Sequence, residues 1–323
     1  MKPRLRAESP TVEPAFDLDE AMLRVEATIQ AAIACDEPLL ARMVEDVVGA
    51  GGKRLRPRIA LLAFQACGGY NPERVVAAGA AFELIHTASL VHDDIIDQSP
   101  LRRGRPTIHT AYGIPHALVA GDFLFTKGFA LSGKLPKEVI DVTAEACVRL
   151  AEGEVMEQRL VAEDVDEAHY IKIIVKKTAE PIRACAKTGA LLADAPADVV
   201  EALAQYGLDV GIAFQIADDV LDIAGDPEET GKVVGQDART GVVTLPAGLM
   251  GLDKVAASFR KMARESDPDE LRAMLEEAGA IDAARDKALE YARRAQARLD
   301  VLPDSPAKAA LFAIAQMVVE RKA

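Results

Sequence analysis

The sequence predicts an all-α protein. Half of its 323 residues are apolar, yet only 4% are aromatic, and Trp is absent. Alanine, leucine, valine and glutamate recur throughout, and this composition favours helix over strand. Apolar residues with helical spacing begin near Asp19 and continue, with breaks, almost to the end of the chain.

Glycine and proline divide this pattern into segments. No serine-rich or glycine-rich linker separates two halves, so we predict one domain over residues 1–323, with residues 1–16 as a flexible extension. The predicted helices cover about Asp19–Cys35, Pro38–Val48, Pro57–Cys67, Pro72–Asp97, Pro115–Ser132, Pro136–Ala162, Glu167–Ala193 and Ala197–Ile223, with shorter ones after Pro246.

Charge and cysteine content exclude several classes of protein. The net charge is −13, with 51 acidic and 38 basic residues, which argues against a nucleic-acid-binding surface. The four cysteines lack C-x-x-C spacing and are predicted to be reduced thiols in the cytoplasm. No uninterrupted apolar run reaches the length of a membrane span, so no transmembrane segment is predicted. Peripheral contact with a membrane is compatible with this sequence.

Two acidic motifs stand out, LVHDDIID and QIADDVLD. On a helix, residues four apart share a face, so the motifs place six carboxylates on two apolar helices. Like charges at that spacing are unfavourable by roughly 0.2–0.5 kcal/mol per pair unless a cation is bound. Magnesium is the expected cation, because it takes oxygen ligands and shares protein carboxylates with substrate phosphates. The predicted metal ligands are Asp93, Asp94, Asp97, Asp218, Asp219 and Asp222.

Basic residues near these motifs predict a diphosphate site. Three arginines follow the first motif within Gln98–Thr107, and a glycine-rich connection, Gly225–Pro246, follows the second. Arginine suits bidentate contact with phosphate, and lysine acts as a point charge. No G-x-S-x-G elbow or other protein nucleophile is visible, so the substrate's own diphosphate is expected to be the leaving group.

Four blocks together resemble the trans-isoprenyl diphosphate synthases, or polyprenyl synthetases. They are GGKRLRP (51–57), HTASLVHDDIIDQSPLRRGRPT (86–107), KKTA (176–179) and the segment 215–237, which begins QIADDVLD. The resemblance implies antiparallel helices around a central cavity, with the two motifs facing each other across it. It also implies a homodimer and substrates consisting of isopentenyl diphosphate and an allylic diphosphate.

The same resemblance implies roles for individual residues. The aspartates bind magnesium, which grips the allylic diphosphate. Direct contacts to that diphosphate are implied for Arg102, Lys177, Thr178, Gln215 and Lys232. The diphosphate of isopentenyl diphosphate is implied to contact Lys53, Arg56, His86 and Arg103. Many members have another lysine where this chain has Val242, which removes one cation from the site.

Product length in the family depends on the depth of the cavity beneath the first motif. Ser89 and Ala88 lie four and five residues before Asp93, one helical turn below it. Two small side chains leave the floor open, so we expect a long polyprenyl product of about thirty carbons or more unless a neighbouring helix blocks the path. A short-chain farnesyl or geranylgeranyl synthase is the alternative.

Two further alternatives are weighed against this interpretation. A terpene cyclase needs only one basic diphosphate pocket, whereas His86, Arg103 and the GGKRLRP block form a second anion set. A non-catalytic subunit of a hetero-oligomeric synthase has no need of all six aspartates, and all six are present.

Overall fold

The computed structural model describes residues 16–160, 167–224 and 268–320. Helices account for most of these residues, and the all-α prediction is confirmed. The α-helices are α1 (Leu18–Ile33), α2 (Pro38–Val48), α3 (Leu55–Ala66), α4 (Glu73–Ile96), α5 (Ile108–Tyr112), α6 (Ile114–Ser132), α7 (Lys137–Leu160), α8 (Glu167–Ile174), α9 (Glu180–Leu192), α10 (Ala197–Ala224), α11 (Pro268–Glu277), α12 (Ala280–Arg298) and α13 (Pro306–Met317).

Local chemistry explains where several helices begin. The Asp17 side chain caps α1 by accepting a hydrogen bond from the Glu20 backbone N–H at 2.8 Å. Helix α3 begins at Leu55, two residues earlier than predicted, directly after Arg54, whose φ of 45° ends the preceding loop. Proline lies in the first turn of α2, α6, α9 and α13, where its missing N–H has no helical partner to lose.

Two regions differ from the sequence prediction. The predicted loop 98–107 contains a small hairpin, in which β1 (Leu101–Arg102) pairs with β2 (Arg105–Pro106), and the short helix α5 follows it. The predicted helix Glu167–Ala193 is interrupted by one π-helical turn, Val175–Ala179, which separates α8 from α9. This π-turn carries the KKTA block.

Helix α4 runs through the interior and ends at the first acidic motif. Among the described helices it alone is long and apolar enough to cross a membrane, with a mean hydropathy of 1.4 over its best 18-residue window. However, 78% of that window is buried inside the protein. The hydropathy of α4 therefore reflects a core position, and its burial fixes which of its faces can reach the cavity.

Charged residues anchor the helices on either side. Arg54 donates to Glu26 at 2.6 Å and to Glu83 at 3.0 Å, so it joins α1 and α4 to the start of α3. Asp209 on α10 is buried and pairs with Arg294 at 3.1 Å and Arg298 at 3.5 Å on α12. Because Asp209 and Glu83 are themselves buried, loss of their arginine partners would leave a carboxylate without its countercharge, so these contacts hold the helices in position.

Candidate active site

The first acidic motif occupies the last turn of α4. Asp94 is buried, Asp93 is half-buried, and Asp97 is exposed at the C-cap. A helix C-terminus carries partial negative charge, so carboxylates there are disfavoured unless cations lie nearby. Arg102 in the hairpin supplies one such cation, since its Nε donates to Asp94 Oδ1 at 2.8 Å.

The pKa values of these carboxyl groups are raised, chiefly by burial. Burial raises the pKa of Asp93 to about 7, and the charges of Glu154, Asp97 and Glu157 add to the rise against the opposing effect of Lys177. Burial also raises the pKa values of Asp94 and Asp97, although Arg102 and Lys177 respectively oppose it. The first motif therefore favours binding of further cations.

Lys177 lies within this acidic environment. Its Nζ is 2.8 Å from Glu154 Oε2 and also donates to Glu157, and both glutamates lie on α7. Burial by itself lowers the pKa of Lys177, but the charges of Glu157, Asp93 and Glu154 outweigh it, so the pKa lies above its ordinary value. Lys177 therefore stays positively charged, and its charge attracts the carboxylates of the first motif.

The second acidic motif, on α10, is held by a chain of hydrogen bonds. Thr178 Oγ1 donates to Gln215 Oε1 at 2.8 Å, and Gln215 Nε2 donates to Asp219 Oδ1 at 2.8 Å. The hydroxyl of Tyr170, which is buried, donates to Asp219 Oδ2. Both carboxylate oxygens of Asp219 are thereby oriented.

Consecutive residues of the π-turn connect the two motifs. Lys177 acts on Asp93 of the first motif, and Thr178 reaches Asp219 of the second through Gln215. A π-turn often marks a functional position in a helix. The structure thus brings together the two motifs and four of the five residues predicted to contact the allylic diphosphate.

Close backbone packing allows this connection. A Cβ atom on Gly153 of α7 would lie 2.6 Å from the Lys177 backbone nitrogen, and one on Gly211 of α10 would lie 2.5 Å from Ala179 Cα. Neither distance is tolerated between real atoms, so any larger residue would push the π-turn away. The two glycines let α7 and α10 approach the π-turn from different sides.

Three of the four residues predicted for isopentenyl diphosphate line two cavities, and the fourth, Lys53, lines neither. His86 and Arg103 line a cavity of about 280 Å³, together with Asp94 and Arg102. His86 and Arg56 line a second cavity of about 20 Å³. His86 therefore lies at the boundary, and Lys53 is on an exposed part of the loop before α3.

Several of these groups are suited to an anion. Burial lowers the pKa of Arg56, and its buried Nε has no hydrogen-bond partner among the described residues. Burial, with the neighbouring arginines Arg56, Arg103, Arg102 and Arg54, lowers the pKa of His86 well below its ordinary value. His86 is thus neutral at pH 7 and can donate one hydrogen bond without carrying charge.

The glycine pair before Lys53 lets its loop contact Arg103. Gly52 has a φ of 151°, and a Cβ atom there would lie 3.0 Å from the guanidinium nitrogens of Arg103. Glycine removes both the conformational strain and the clash. The loop that carries Lys53 therefore packs against the hairpin that carries Arg103.

The residues beneath the first motif are small, as predicted, but larger ones follow. Ala88 and Ser89 are buried, and the Ser89 hydroxyl donates to the His86 carbonyl oxygen at 2.8 Å. Ile85 and Phe82, one and two turns further from Asp93, line the cavity of about 20 Å³ with Leu150 of α7. Larger side chains thus lie on α4 one and two turns beyond Ala88 and Ser89.

The carboxylates suit a hard divalent cation that also binds substrate. No three His, Cys, Asp or Glu side chains in the described ranges are grouped closely enough to hold a metal ion by themselves. Magnesium usually takes only one or two carboxylates and completes its shell with water and phosphate oxygens. The donor set and the raised pKa values fit such a shared site.

Two positions discussed from the sequence lie outside the described residues, and two residues that contact the site were not predicted. Lys232 and Val242 fall outside the described residues. Sequence reasoning did not select Tyr170, because a tyrosine in an isoleucine-rich helix is indistinguishable from a core residue. It also passed over Glu157, whose spacing of three from Glu154 gives both glutamates one face of α7.

Comparisons with known proteins agree with this geometry. A family model described as polyprenyl synthetase matches residues 37–278. The chain belongs to the polyprenyl synthetase family. It is 40% identical over 299 residues to the short chain isoprenyl diphosphate synthase of Methanothermobacter thermautotrophicus, covering 88% of this chain and 90% of that protein. Identity to the octaprenyl diphosphate synthase of Escherichia coli is 37% over 309 residues, covering 93% and 95%.

Solved structures give the same assignment. The crystal structure of polyprenyl synthase from Caulobacter crescentus, complexed with calcium and isoprenyl diphosphate, superposes with a TM-score of 0.89 at 34% identity, covering 97% of this chain and all of that one. This chain is therefore a prenyltransferase of isoprenoid biosynthesis with the isoprenoid synthase fold, and it catalyses trans-prenyl diphosphate condensation. Because its relatives include both short-chain and octaprenyl synthases, membership of the family does not determine the length of the product, which depends on the shape of the cavity.

Proposed function

We propose that this polyprenyl synthetase joins isopentenyl diphosphate to an allylic prenyl diphosphate in repeated head-to-tail (1'-4) steps and releases an all-trans product of about thirty carbons or more. The observation that carries the proposed site is the pair of consecutive residues Lys177 and Thr178, which connect the two aspartate motifs. A single bound diphosphate lying beside the π-turn would contact both motifs.

The proposed cofactor is magnesium, held by the six aspartates of the two motifs. Asp94 accepts a hydrogen bond from Arg102 and Asp219 accepts one from Gln215, so these contacts would orient one carboxylate in each motif. Bound magnesium neutralises the diphosphate and makes it a better leaving group. The calcium found with the Caulobacter crescentus enzyme supports a divalent cation in this family.

The proposed allylic site consists of Arg102, Lys177, Thr178, Gln215 and Lys232. Their positive charges and donors stabilise the diphosphate as the allylic C1–O bond breaks and its electron pair leaves with the oxygen. The double bond of isopentenyl diphosphate then attacks C1. A proton is lost from the resulting cation to the departed diphosphate, so no side-chain base is required.

The proposed isopentenyl diphosphate site consists of Lys53, Arg56, His86 and Arg103. The unpartnered Nε of Arg56 supports an anion at this position. Neutral His86 would donate a hydrogen bond to that anion and add no further positive charge beside the four neighbouring arginines. Labelled isopentenyl diphosphate must be incorporated into the product, and a hydrocarbon formed from one prenyl diphosphate alone would contradict the proposal.

Product length rests on the depth of the cavity. Ala88 and Ser89 support a long chain, because both are small side chains one helical turn below Asp93. Phe82 supports the alternative of a short or intermediate chain, since it lies eleven residues, or about 16 Å along the helix, below Asp93. A growing chain that meets Phe82 would stop there unless the ring moves.

Mass spectrometry of the product separates these outcomes. Ala88→Phe should shorten the product, because a ring would close the cavity one turn below the metal. Phe82→Ala should lengthen it if Phe82 is the floor and leave it unchanged if the chain takes another path. A wild-type product of twenty carbons or fewer is about the length expected if a residue close to Asp93 closes the cavity, and it would favour the short-chain alternative.

We also propose that the chain forms one domain and acts in the cytoplasm as a homodimer. Helix α6 supports the dimer, since Ile114, Leu118, Val119 and Phe129 are 53%, 47%, 57% and 42% exposed. Leu118→Glu should give a monomer in light scattering, with its helical content retained. Purified wild-type protein should be active without any second chain, and activity that appears only after another protein is added would favour a non-catalytic subunit.

A further inference from the structure

Four carboxylates surround Lys177, and the proposed roles account for only two of them. Asp93 and Asp97 belong to the first acidic motif. Glu154 and Glu157 come from α7 and belong to neither motif. These two glutamates make the direct contacts with Lys177, so their purpose requires an explanation.

The contact geometry describes a held side chain. Lys177 Nζ lies 2.8 Å from Glu154 Oε2 and donates to Glu157 as well. The three side chains are 21%, 12% and 25% exposed, so water screens these charges only in part. An ammonium group has three donors. Glu157 accepts one of them, and Glu154 contributes an ion pair, so at least one N–H remains to point elsewhere.

We propose that Glu157, assisted by Glu154, is a positioning residue that fixes Lys177 so that its remaining N–H faces the allylic diphosphate. This inference rests on the proposed function of Lys177. A lysine is a flexible four-carbon chain, and ordering it costs binding free energy each time a ligand is bound. Two carboxylates that hold the chain beforehand remove that cost from the binding step.

The backbone supports the same interpretation. Gly153 immediately precedes Glu154 and brings α7 against the π-turn, where a Cβ atom would lie 2.6 Å from the Lys177 nitrogen. The close approach places the glutamates of α7 within reach of the lysine. When metal engages Asp93 and Asp97, Glu154 and Glu157 remain as the local countercharges that keep Lys177 in place.

A neighbouring ion pair provides a matched control. Lys176 donates to Glu152, which also lies on α7, but Glu152 is 46% exposed and the proposed site does not use either residue. This pair therefore consists of the same two residue types and joins the same two segments, α7 and the π-turn, at a more exposed position. Removing the charge of Glu152 should leave the allylic site unchanged.

The test compares Glu157→Gln, Glu154→Gln and the control Glu152→Gln in the magnesium-loaded enzyme. The amide keeps the shape of the side chain and removes its charge. We expect Glu157→Gln to raise KM for the allylic diphosphate about tenfold, which corresponds to about 1.4 kcal/mol, with little change in KM for isopentenyl diphosphate. Glu157→Asp, which restores the charge, should recover part of the loss.

Several results would overturn the inference. A lower allylic KM in Glu157→Gln would mean that the glutamate competes with substrate for Lys177, and an unchanged KM would mean that it does not position the lysine. A tenfold rise in the half-saturating magnesium concentration would make Glu157 a metal ligand instead. Thermal unfolding of each variant identifies any loss of fold. If Glu157→Gln does not fold, Glu154→Gln is compared with the control Glu152→Gln instead.

Lys177→Ala separates the two proposals. If it raises the allylic KM while Glu157→Gln does not, the positioning inference fails and the proposed site stands. If it leaves the allylic KM unchanged, the proposed role of Lys177 fails together with the inference that rests on it.

Discussion

The two aspartate motifs have the same sequence spacing but different surroundings. In the first, Asp94 is held by the cation Arg102, and Lys177 lies close enough to act on Asp93 and Asp97. In the second, Asp219 accepts from Gln215 and Tyr170, which are neutral. Asp94 of the first motif is thus held by a charge that substrate and metal can take over, whereas Asp219 of the second accepts hydrogen bonds from neutral groups that need not break.

This difference predicts that the two motifs respond differently to pH and salt. Cationic partners of the first motif must exchange between carboxylates and diphosphate, so that motif should be sensitive to pH and salt. Neutral hydrogen bonds around Asp219 preorganise the second motif and are less sensitive to both. Substitutions that remove charge should therefore separate the motifs more clearly than substitutions that remove only a hydroxyl group.

The largest effect is expected from the aspartates themselves. Asp93→Ala and Asp218→Ala should each lower kcat/KM by about three orders of magnitude or more, because each removes a ligand of the metal that stabilises the leaving group. Steady-state kinetics gives the effect, and circular dichroism should show an intact helical fold. Activity close to wild type in either variant would refute the metal assignment of that motif.

Replacing Arg102 tests the cationic side of the comparison. Arg102→Ala removes the charge-assisted hydrogen bond to Asp94, worth about 1.5–3 kcal/mol, and should lower kcat/KM for the allylic substrate by about 10-fold to 100-fold. Arg102→Lys, the control, retains the charge and should recover part of the activity. Equal activity in the alanine and lysine variants would mean that the charge of Arg102 is unimportant.

Replacing Tyr170 tests the neutral side. Tyr170→Phe keeps the ring in the core and removes the hydroxyl that donates to Asp219, a loss of about 1 kcal/mol, so kcat/KM should fall by about fivefold. The loss should be the same at low and high salt, unlike that of Arg102→Ala. A strongly salt-dependent defect would contradict the proposed contrast between the motifs.

The last comparison concerns pH. The pKa of Asp93 rises from 3.8 to about 7, so the folded protein without metal binds a proton more readily than the unfolded chain. The contribution of this group to stability is therefore present at low pH and is lost as pH rises towards about 7. Thermal unfolding of the metal-free protein measures it, and Asp93→Asn should remove that part of the pH dependence.

Metal binding should show the opposite dependence. A protonated Asp93 cannot coordinate magnesium, so the half-saturating concentration should rise by nearly tenfold for each unit that the pH falls below about 7. Titration calorimetry at several pH values measures it without turnover. An affinity that is constant below pH 7 would show that Asp93 is not a ligand.

Sequence reasoning predicted individual groups better than their partners. It selected Arg102, Lys177, Thr178 and Gln215, and the structure brings all four to the two motifs. Arg54 lies in the same GGKRLRP block as Lys53 and Arg56, but it pairs with Glu26 and Glu83 and holds helices together. Charge is visible in a sequence, whereas the carboxylates that neutralise it come from distant segments.

The depth of the cavity shows the same limit. Ala88 and Ser89 were identifiable by their spacing from Asp93, because positions along one helix follow from its geometry. Leu150 of α7, which closes the smaller cavity with Phe82 and Ile85, belongs to another helix. No spacing rule relates its position to Asp93.

The all-α class, the helix that carries each motif and the type of ligand these residues suit follow from the amino-acid sequence, because periodicity and side-chain chemistry are local properties. The pairing of Asp94 with Arg102, and of Asp219 with Tyr170 and Gln215, follows from the packing of segments that are distant in sequence. The contacts of Glu154 and Glu157 with Lys177 have the same origin. These partners depend on how α4, α7 and α10 pack around the π-turn, where close contacts at Gly153 and Gly211 set the distances.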